Sequence, residues 1–271
     1  MNSLEKRMID VLKNLKENHH VVGVKAEFES EGTRMEEALR LKEVVSTAGL
    51  ELTIKIGGCE ALRDMYEARV IGASRIVAPM IESPYALTKY LKATKLAFPS
   101  DEWDQTSFLV NIETIVGFEK LDQILSAEEI NNLDGIVFGR VDMVGSMGLA
   151  RDDVNTPKMS EIALQLFTKA KASSLQCVIG GGVSAETIPF IKELPAGLVD
   201  YYETRKVVFK CPEALNGNYD KGILKAVGFE LMWLKNKRDF YGMIFAEDRQ
   251  RIEMLQSRYD KLIEAAGGKY E

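Results

Sequence analysis

The sequence predicts a closed TIM-type (β/α) barrel, with one strand irregular or missing, followed by a C-terminal helical extension. Three observations predict it. Short runs rich in β-formers alternate with helical segments from residue 21 to 211, as in right-handed βαβ units. No Gly-rich dinucleotide turn opens the first unit, as a doubly wound open sheet would require. Beyond Cys211-Pro212 the alternation gives way to uninterrupted helical spacing.

In chain order, Leu4, Met8, Leu12 and Leu15 recur at helical spacing among charged residues, which predicts an amphipathic N-terminal helix within residues 1–20. The barrel is expected over 21–211. Its strands are read at Val21 to Phe28, Leu52 to Ile56, Arg75 to Met80, Phe108 to Glu113, Gly135 to Val141, Gln176 to Ile179 and Leu198 to Tyr202. Helices are read around Met35 to Ala48, Ala61 to Ile71, Tyr85 to Leu96, Val116 to Leu125, Ser160 to Ala172 and Ala185 to Glu193. No eighth strand stands out; it lies near His19, or its place is filled irregularly. In the extension, 212–271, Ile223, Leu224, Val227, Leu231 and Leu234 share one face and Lys225, Lys235 and Lys237 another. Ile252, Leu255, Tyr259 and Leu262 keep a three-four spacing like a short coiled-coil seam. Such a helix either folds back on its own barrel or joins subunits, and a homo-oligomer through the C-terminal helices is expected.

With 271 residues and 46% hydrophobic residues, the chain can close a sizeable core. A net charge of −6 disfavours a nucleic-acid partner and points to small-molecule substrates. Cys59, Cys177 and Cys211 make an odd, widely spaced set without zinc or redox-pair spacing, which fits a reducing, cytoplasmic compartment. Asp10, Lys13, Lys16 and Glu17 interrupt any signal-peptide apolar block, and no uncharged run approaches the ~20 residues of a membrane span.

Chemistry is sought at the strand ends, because polar groups at the C-terminal ends of barrel strands face the mouth. Leu109, Asn111 and Glu113 share the face opposite Phe108, Val110 and Ile112, which directs Glu113 to the mouth. The apolar run from Gly135 passes Arg140 and ends in Val141-Asp142, placing a second carboxylate beside it. Two carboxylates from adjacent strands, without His or Cys, make a hard oxygen site suited to Mg²⁺ or Mn²⁺. Singly, each also fits a structural role: Glu113 pairing with Lys55, Asp142 capping a helix. Lys25, Glu27 and Glu29 alternate with Val24, Ala26 and Phe28, forming an internal ion-pair cluster or part of a catalytic set. Glu27 and Glu29 are read as catalytic. Lys55 ends the second strand as a cation able to stabilise a developing enolate. Gly180-Gly181-Gly182 is either a tight turn or an anion cradle that Arg205 and Lys206 would strengthen.

These residues resemble the HpcH/HpaI aldolase and citrate lyase beta-subunit family, within the pyruvate/phosphoenolpyruvate barrels, from about Val21 to Phe209. Ala78-Pro79-Met80-Ile81-Glu82-Ser83 is similar to its Pro-Met-Val-Glu segment. Val110-Asn111-Ile112-Glu113-Thr114 is similar to its Gln-Ile-Glu-Thr strand. Phe138-Gly139-Arg140-Val141-Asp142-Met143, continuing to Ser146-Met147-Gly148, is similar to its Gly-Pro-Ala-Asp-Leu stretch ending in Ser-Met-Gly. The resemblance implies metal ligation by Glu113 and Asp142. It implies substrate binding by Gly139, Arg140 and Val141, whose amides hold the carboxylate of a pyruvate-like 2-oxo acid, and by Met80 and Glu82. It further implies a lyase or aldolase-like reaction through an enolate. Two positions depart from the family: Lys55 stands where it usually carries Arg, and Ala26-Glu27-Phe28-Glu29 stands where its aldolases carry Asp-Leu-Glu-His. The family's first barrel strand is expected before Val21. A Schiff-base mechanism through Lys25 or Lys55 and a non-catalytic binding barrel are the competing readings.

Overall fold

The computed structural model describes residues 1–268. Residues Met1–Glu230 form one compact unit and Leu231–Glu271 a second. In the first, eight strands close a barrel in sequence order: β1 Val21–Glu27, β2 Glu51–Lys55, β3 Arg75–Ala78, β4 Ser107–Ile112, β5 Gly135–Gly139, β6 Gln176–Gly180, β7 Tyr201–Glu203 and β8 Val207–Lys210. β1 to β7 are parallel, and β8 runs antiparallel to both β7 and β1.

The strand not visible in the sequence is therefore β8, the return arm of a hairpin after β7. It is neither near His19 nor ahead of Val21, and Val21–Glu27 is itself the first strand. The N-terminal segment is wholly helical: α1, Ser3–His19, starts at an Asn2–Glu5 capping box and stops where His20 turns left-handed. The helices between strands are α2 Met35–Thr47, α3 Leu62–Ile71, α4 Pro84–Ala97, α5 Ser100–Trp103, α6 Ile115–Glu119, α7 Leu121–Leu125, α8 Arg140–Ser146, α9 Pro157–Ala172 and α10 Thr187–Glu193. Among the described residues of the extension, a short 3-10 turn at Glu213–Leu215 precedes one long helix, α11 Tyr219–Ala265. Its first turns fall within the compact unit that holds the barrel, past residue 211. Among the described residues, no helix is long and apolar enough to cross a membrane.

Side-chain alternation along the strands divides the barrel interior into two zones. Val77, Leu109, Val137 and Val178, each at most 4% exposed, pack with Tyr201 as an apolar floor. One pleat further towards the C-terminal ends, the inward positions become Lys25, Glu27, Lys55, Asn111 and Glu203, all buried. The floor seals the barrel, and the zone above it holds the charges.

Candidate active site at the barrel mouth

Glu113 lies one residue past β4 and is 1% exposed. Its Oε1 accepts from the Met80 amide at 3.0 Å and faces Lys55 Nζ at 3.5 Å, while Oε2 accepts from Asn111 Nδ2 at 2.6 Å. Met80 adopts a left-handed φ of 51°, unusual for a side chain of its size, which turns its amide onto Glu113. Burial raises the Glu113 pKa above the usual carboxylate range. Lys55 and the Asn111 hydrogen bond oppose the rise, and the nearby charge of Asp142 adds to it. The two carboxylates therefore feel each other.

Asp142 reaches that neighbourhood from a helix rather than a strand. β5 ends at Gly139, and Arg140, Val141 and Asp142 form the first turn of α8, so the strand read through Val141 stops two residues early. Gly139 is required where it stands: a Cβ there would overlap Glu113 Oε2 and lie 2.8 Å from the Glu113 Cβ. Ser146 at the end of α8 accepts from the Ile115 amide at 2.9 Å, which ties this helix to the segment after Glu113.

The Arg140 side chain is turned away from the mouth and is 0% exposed. Its guanidinium donates to the carbonyls of Gly180 (3.2 Å), Gly181 (2.9 Å) and Val154 (3.2 Å) and to Asn155 Oδ1 (2.6 Å). Burial lowers its pKa to about 9. It thus organises the triglycine loop, and only its amide remains for a substrate. Gly181, at φ 75°, is pressed close to that amide: a Cβ would stand 2.6 Å from the Arg140 nitrogen and 2.7 Å from that of Val141. Gly180 makes room for Glu203, whose Oε1 would lie 3.1 Å from an added Cβ. These approaches account for two of the three glycines.

The remaining charges form a paired network. Lys25 Nζ bonds Glu203 and lies 3.2 Å from Glu27 Oε1. Lys55 Nζ lies 2.9 Å from Glu29 Oε2. Lys206 and Arg205 both pair with Glu31, Arg205 at 3.2 Å, so neither joins the triglycine loop. Burial alone would lower the lysine pKa values, yet Glu203 and Glu27 raise that of Lys25, and Glu113 and Glu29 raise that of Lys55. Glu27 is likewise penalised by burial, but Lys25, the Ser30 hydroxyl and Lys55 outweigh this and hold it at about 2. Glu82 accepts from Thr114 Oγ1 at 2.6 Å, beside the N-terminus of α6.

A stability prediction follows from Glu27. Its folded pKa lies below the unfolded value of 4.5, so its contribution is complete above pH 4.5 and is lost as pH falls towards about 2. The full linkage is worth roughly 3 kcal/mol. Acid titration monitored by circular dichroism should show Glu27→Gln losing the corresponding slope between those pH values.

Sequence parity alone brings Lys25, Glu27, Lys55 and Glu113 into this zone. It gave no role to Asn111, although Asn111 shares the inward face of Glu113. Asn111 Oδ1 is buried with no hydrogen-bond partner among the described residues, an acceptor left open beside a carboxylate. Glu203 likewise has no role from sequence, because the end of β7 and its turn into β8 cannot be located from spacing, and Lys206, expected at the triglycine loop, pairs with Glu31 instead. Among the described residues, no three His, Cys, Asp or Glu side chains cluster as a ready-made metal cage. One or two carboxylates, with water and substrate completing the shell, is the manner in which Mg²⁺ is usually held.

A sequence comparison with curated proteins finds no significant match. Among solved structures, an HpcH/HpaI aldolase from Desulfitobacterium hafniense DCB-2 aligns with TM-score 0.57 and 16% identity, over 69% of this chain and 78% of that one. The citrate synthase SbnG aligns with TM-score 0.59 and 15% identity, over 86% and 90%. An HpcH/HpaI aldolase/citrate lyase family protein from Burkholderia cenocepacia J2315 aligns with TM-score 0.54 and 15% identity, over 71% and 90%. At such identities these likenesses establish the fold. The HpcH/HpaI aldolase/citrate lyase family model matches residues 33–184, more than half of the chain and including Glu113, Gly139 and Asp142, and the protein belongs to that family.

Proposed function

We propose that the protein is a divalent-metal-dependent carbon–carbon lyase or aldolase-like enzyme that works through a pyruvate-type enolate on a 2-oxo acid or acyl thioester. The observation that carries this reading is the placement of Glu113 one residue past β4 and of Asp142 in the first turn of α8, directly past β5, with the open oxygen of Asn111 beside Glu113. Glu113 and Asp142 would hold Mg²⁺ or Mn²⁺. When bound, such an ion supplies Lewis acidity to the 2-oxo group and lowers the pKa of the adjacent carbon.

The chain's own residues supply the rest. The Met80 amide and Asn111 Nδ2 fix the Glu113 carboxylate in one orientation. The Arg140 and Val141 amides open α8 beside Gly181 and receive the substrate carboxylate. Lys55, kept as an ammonium by Glu113 and Glu29, adds positive charge where the enolate oxygen develops. Glu29 accepts the proton leaving the substrate methyl, and the C–H electron pair becomes the C2–C3 double bond. Glu29 is assigned this step over Glu27 because its side chain is 26% exposed at the mouth, whereas Glu27 is locked by Lys25 and Ser30. Glu27 is a positioning residue for Lys25.

The paired lysines bear on the competing mechanism. A Schiff base needs a neutral amine, and the carboxylates around Lys25 and Lys55 favour the ammonium form in both.

The test is exchange of pyruvate methyl protons in D₂O, followed by proton NMR. Exchange should require Mg²⁺ or Mn²⁺, stop on chelation, and leave no adduct with borohydride. Exchange that survives chelator while borohydride traps pyruvate on Lys25 or Lys55 would overturn the metal mechanism. Absence of exchange with pyruvate and with acyl thioesters, metal present, would favour a non-catalytic barrel.

A further inference from the structure

In the unit that starts at Leu231, Trp233 is buried, but a long series of apolar side chains faces solvent: Leu231, Leu234 and Leu255 are 52–55% exposed, and Ile252 and Phe245 are 63% and 68% exposed. They are not scattered. One row steps by seven through Leu231, Arg238, Phe245, Ile252 and Tyr259, and a second, three residues on, through Leu234, Tyr241, Asp248, Leu255 and Leu262. This is a heptad seam along the helix, interrupted by one Arg in the first row and one Asp in the second.

The two interruptions specify the partner. In a two-fold antiparallel pairing, residue i meets residue j and j meets i, so i + j is constant along the seam. Setting Arg238 against Asp248 fixes that constant at 238 + 248 = 486. The same constant places Leu231 on Leu255, Leu234 on Ile252 and Tyr241 on Phe245. Between Leu231 and Leu255 each layer is then matched, apolar on apolar and cation on anion, and the charged layer occurs twice by symmetry. Sliding the register by one heptad puts Arg238 on Leu255 or Tyr241 and Asp248 on Phe245 or Leu231, leaving each charge against an unpaired face. A parallel in-register pair would set Arg238 on Arg238 and Asp248 on Asp248.

The axis position is 486/2 = 243, inside Phe240–Ala246, the apolar stretch where Ile244 and Gly242 flank the seam. Self-pairing at that point covers apolar surface beyond the seam itself. An anionic membrane is the weaker partner, because residues 231–265 carry seven basic and six acidic side chains rather than a basic face.

We infer that the C-terminal helix is a self-complementary docking surface for a second copy of this chain, joined antiparallel with Arg238 of each copy on Asp248 of the other. The rim sets Lys235 towards Arg249 and Lys237 towards Arg251, so added salt should hold or tighten the pair rather than dissolve it.

Sedimentation of the full chain should give a dimer. Arg238→Asp or Asp248→Arg alone should weaken it about 100-fold or more, and the double swap should restore it. Both side chains are exposed, and circular dichroism will verify that each variant is folded. In a Cys59→Ser background, Ile244→Cys, next to the axis, should cross-link to itself on oxidation, and Leu231→Cys should not. A monomeric full chain, a double swap no better than the single ones, or cross-linking through Leu231→Cys would each overturn the inference. So would salt-sensitive binding of a monomer to phosphatidylserine-containing vesicles.

Discussion

Glu113→Gln should abolish Mg²⁺ and Mn²⁺ binding in calorimetry and reduce pyruvate proton exchange by about a thousandfold, near 4 kcal/mol of barrier. Gln has the same shape but carries no charge. It also brings a donor to a place where both carboxylate oxygens already accept, from the Met80 amide and from Asn111 Nδ2. Lys55 loses one of the two carboxylates that raise its pKa. Stability should respond differently, because a buried carboxylate with an elevated pKa is costly to fold around. The variant should therefore melt within a few degrees of the native protein. A loss of binding without a loss of fold separates a functional Glu113 from one that only pairs with Lys55.

Gly139→Ala is expected to harm both. The added methyl overlaps Glu113 Oε2, and its neighbours are the Glu113 Cβ at 2.8 Å and its carboxyl carbon at 3.4 Å. Glu113 is 1% exposed and tied to β3 and β4 partners, so it has nowhere cheap to move. Overpacking of this kind costs about 1–3 kcal/mol. Denaturant unfolding should show that loss, and proton exchange should fall to the level of Glu113→Gln. Gly145→Ala is the internal comparison: it lies on the same helix α8 with open space at its Cβ, and it should be neutral or stabilising by up to about 1 kcal/mol.

The seven parallel strands are legible because each alternates an outward apolar set with an inward one, and a period of two survives in isolation. β8 is not legible for a physical reason. Val207–Lys210 is four residues long and follows β7 after only Thr204, Arg205 and Lys206, and its pairing depends on the distant Val21–Val24 of β1. Leu198 and Val199 look like the start of a strand, yet Asp200 there accepts from the Cys177 amide at 2.6 Å and β7 begins only at Tyr201. α8 is hidden by composition: Arg140 to Ser146 contains Val141, Val144 and Gly145, three positions with weak helical preference, and it continues an apolar strand without a break.

The same distinction holds at the site. Inward parity identifies Lys25, Glu27, Lys55 and Glu113 from sequence alone. What each is paired with depends on barrel closure, which brings Glu203 to Lys25 and Lys206 to Glu31 across the β7, β8 and β1 junction. Arg140 shows the limit most clearly. A charge beside a mouth carboxylate suggests substrate contact, whereas its side chain satisfies buried carbonyls on the neighbouring loop. The substitution of Lys55 for the family's Arg is explained locally by a point cation sitting between Glu29 and Glu113, 2.9 and 3.5 Å away.

The most direct measurement is anomalous scattering from crystals soaked with Mn²⁺ and pyruvate. One peak should appear with a Glu113 oxygen and an Asp142 oxygen each about 2.1 Å away, and the pyruvate carboxylate should lie against the Arg140 and Val141 amides. A peak elsewhere, or Glu113 still bound to Lys55 with no ion at saturating Mn²⁺, would contradict the account.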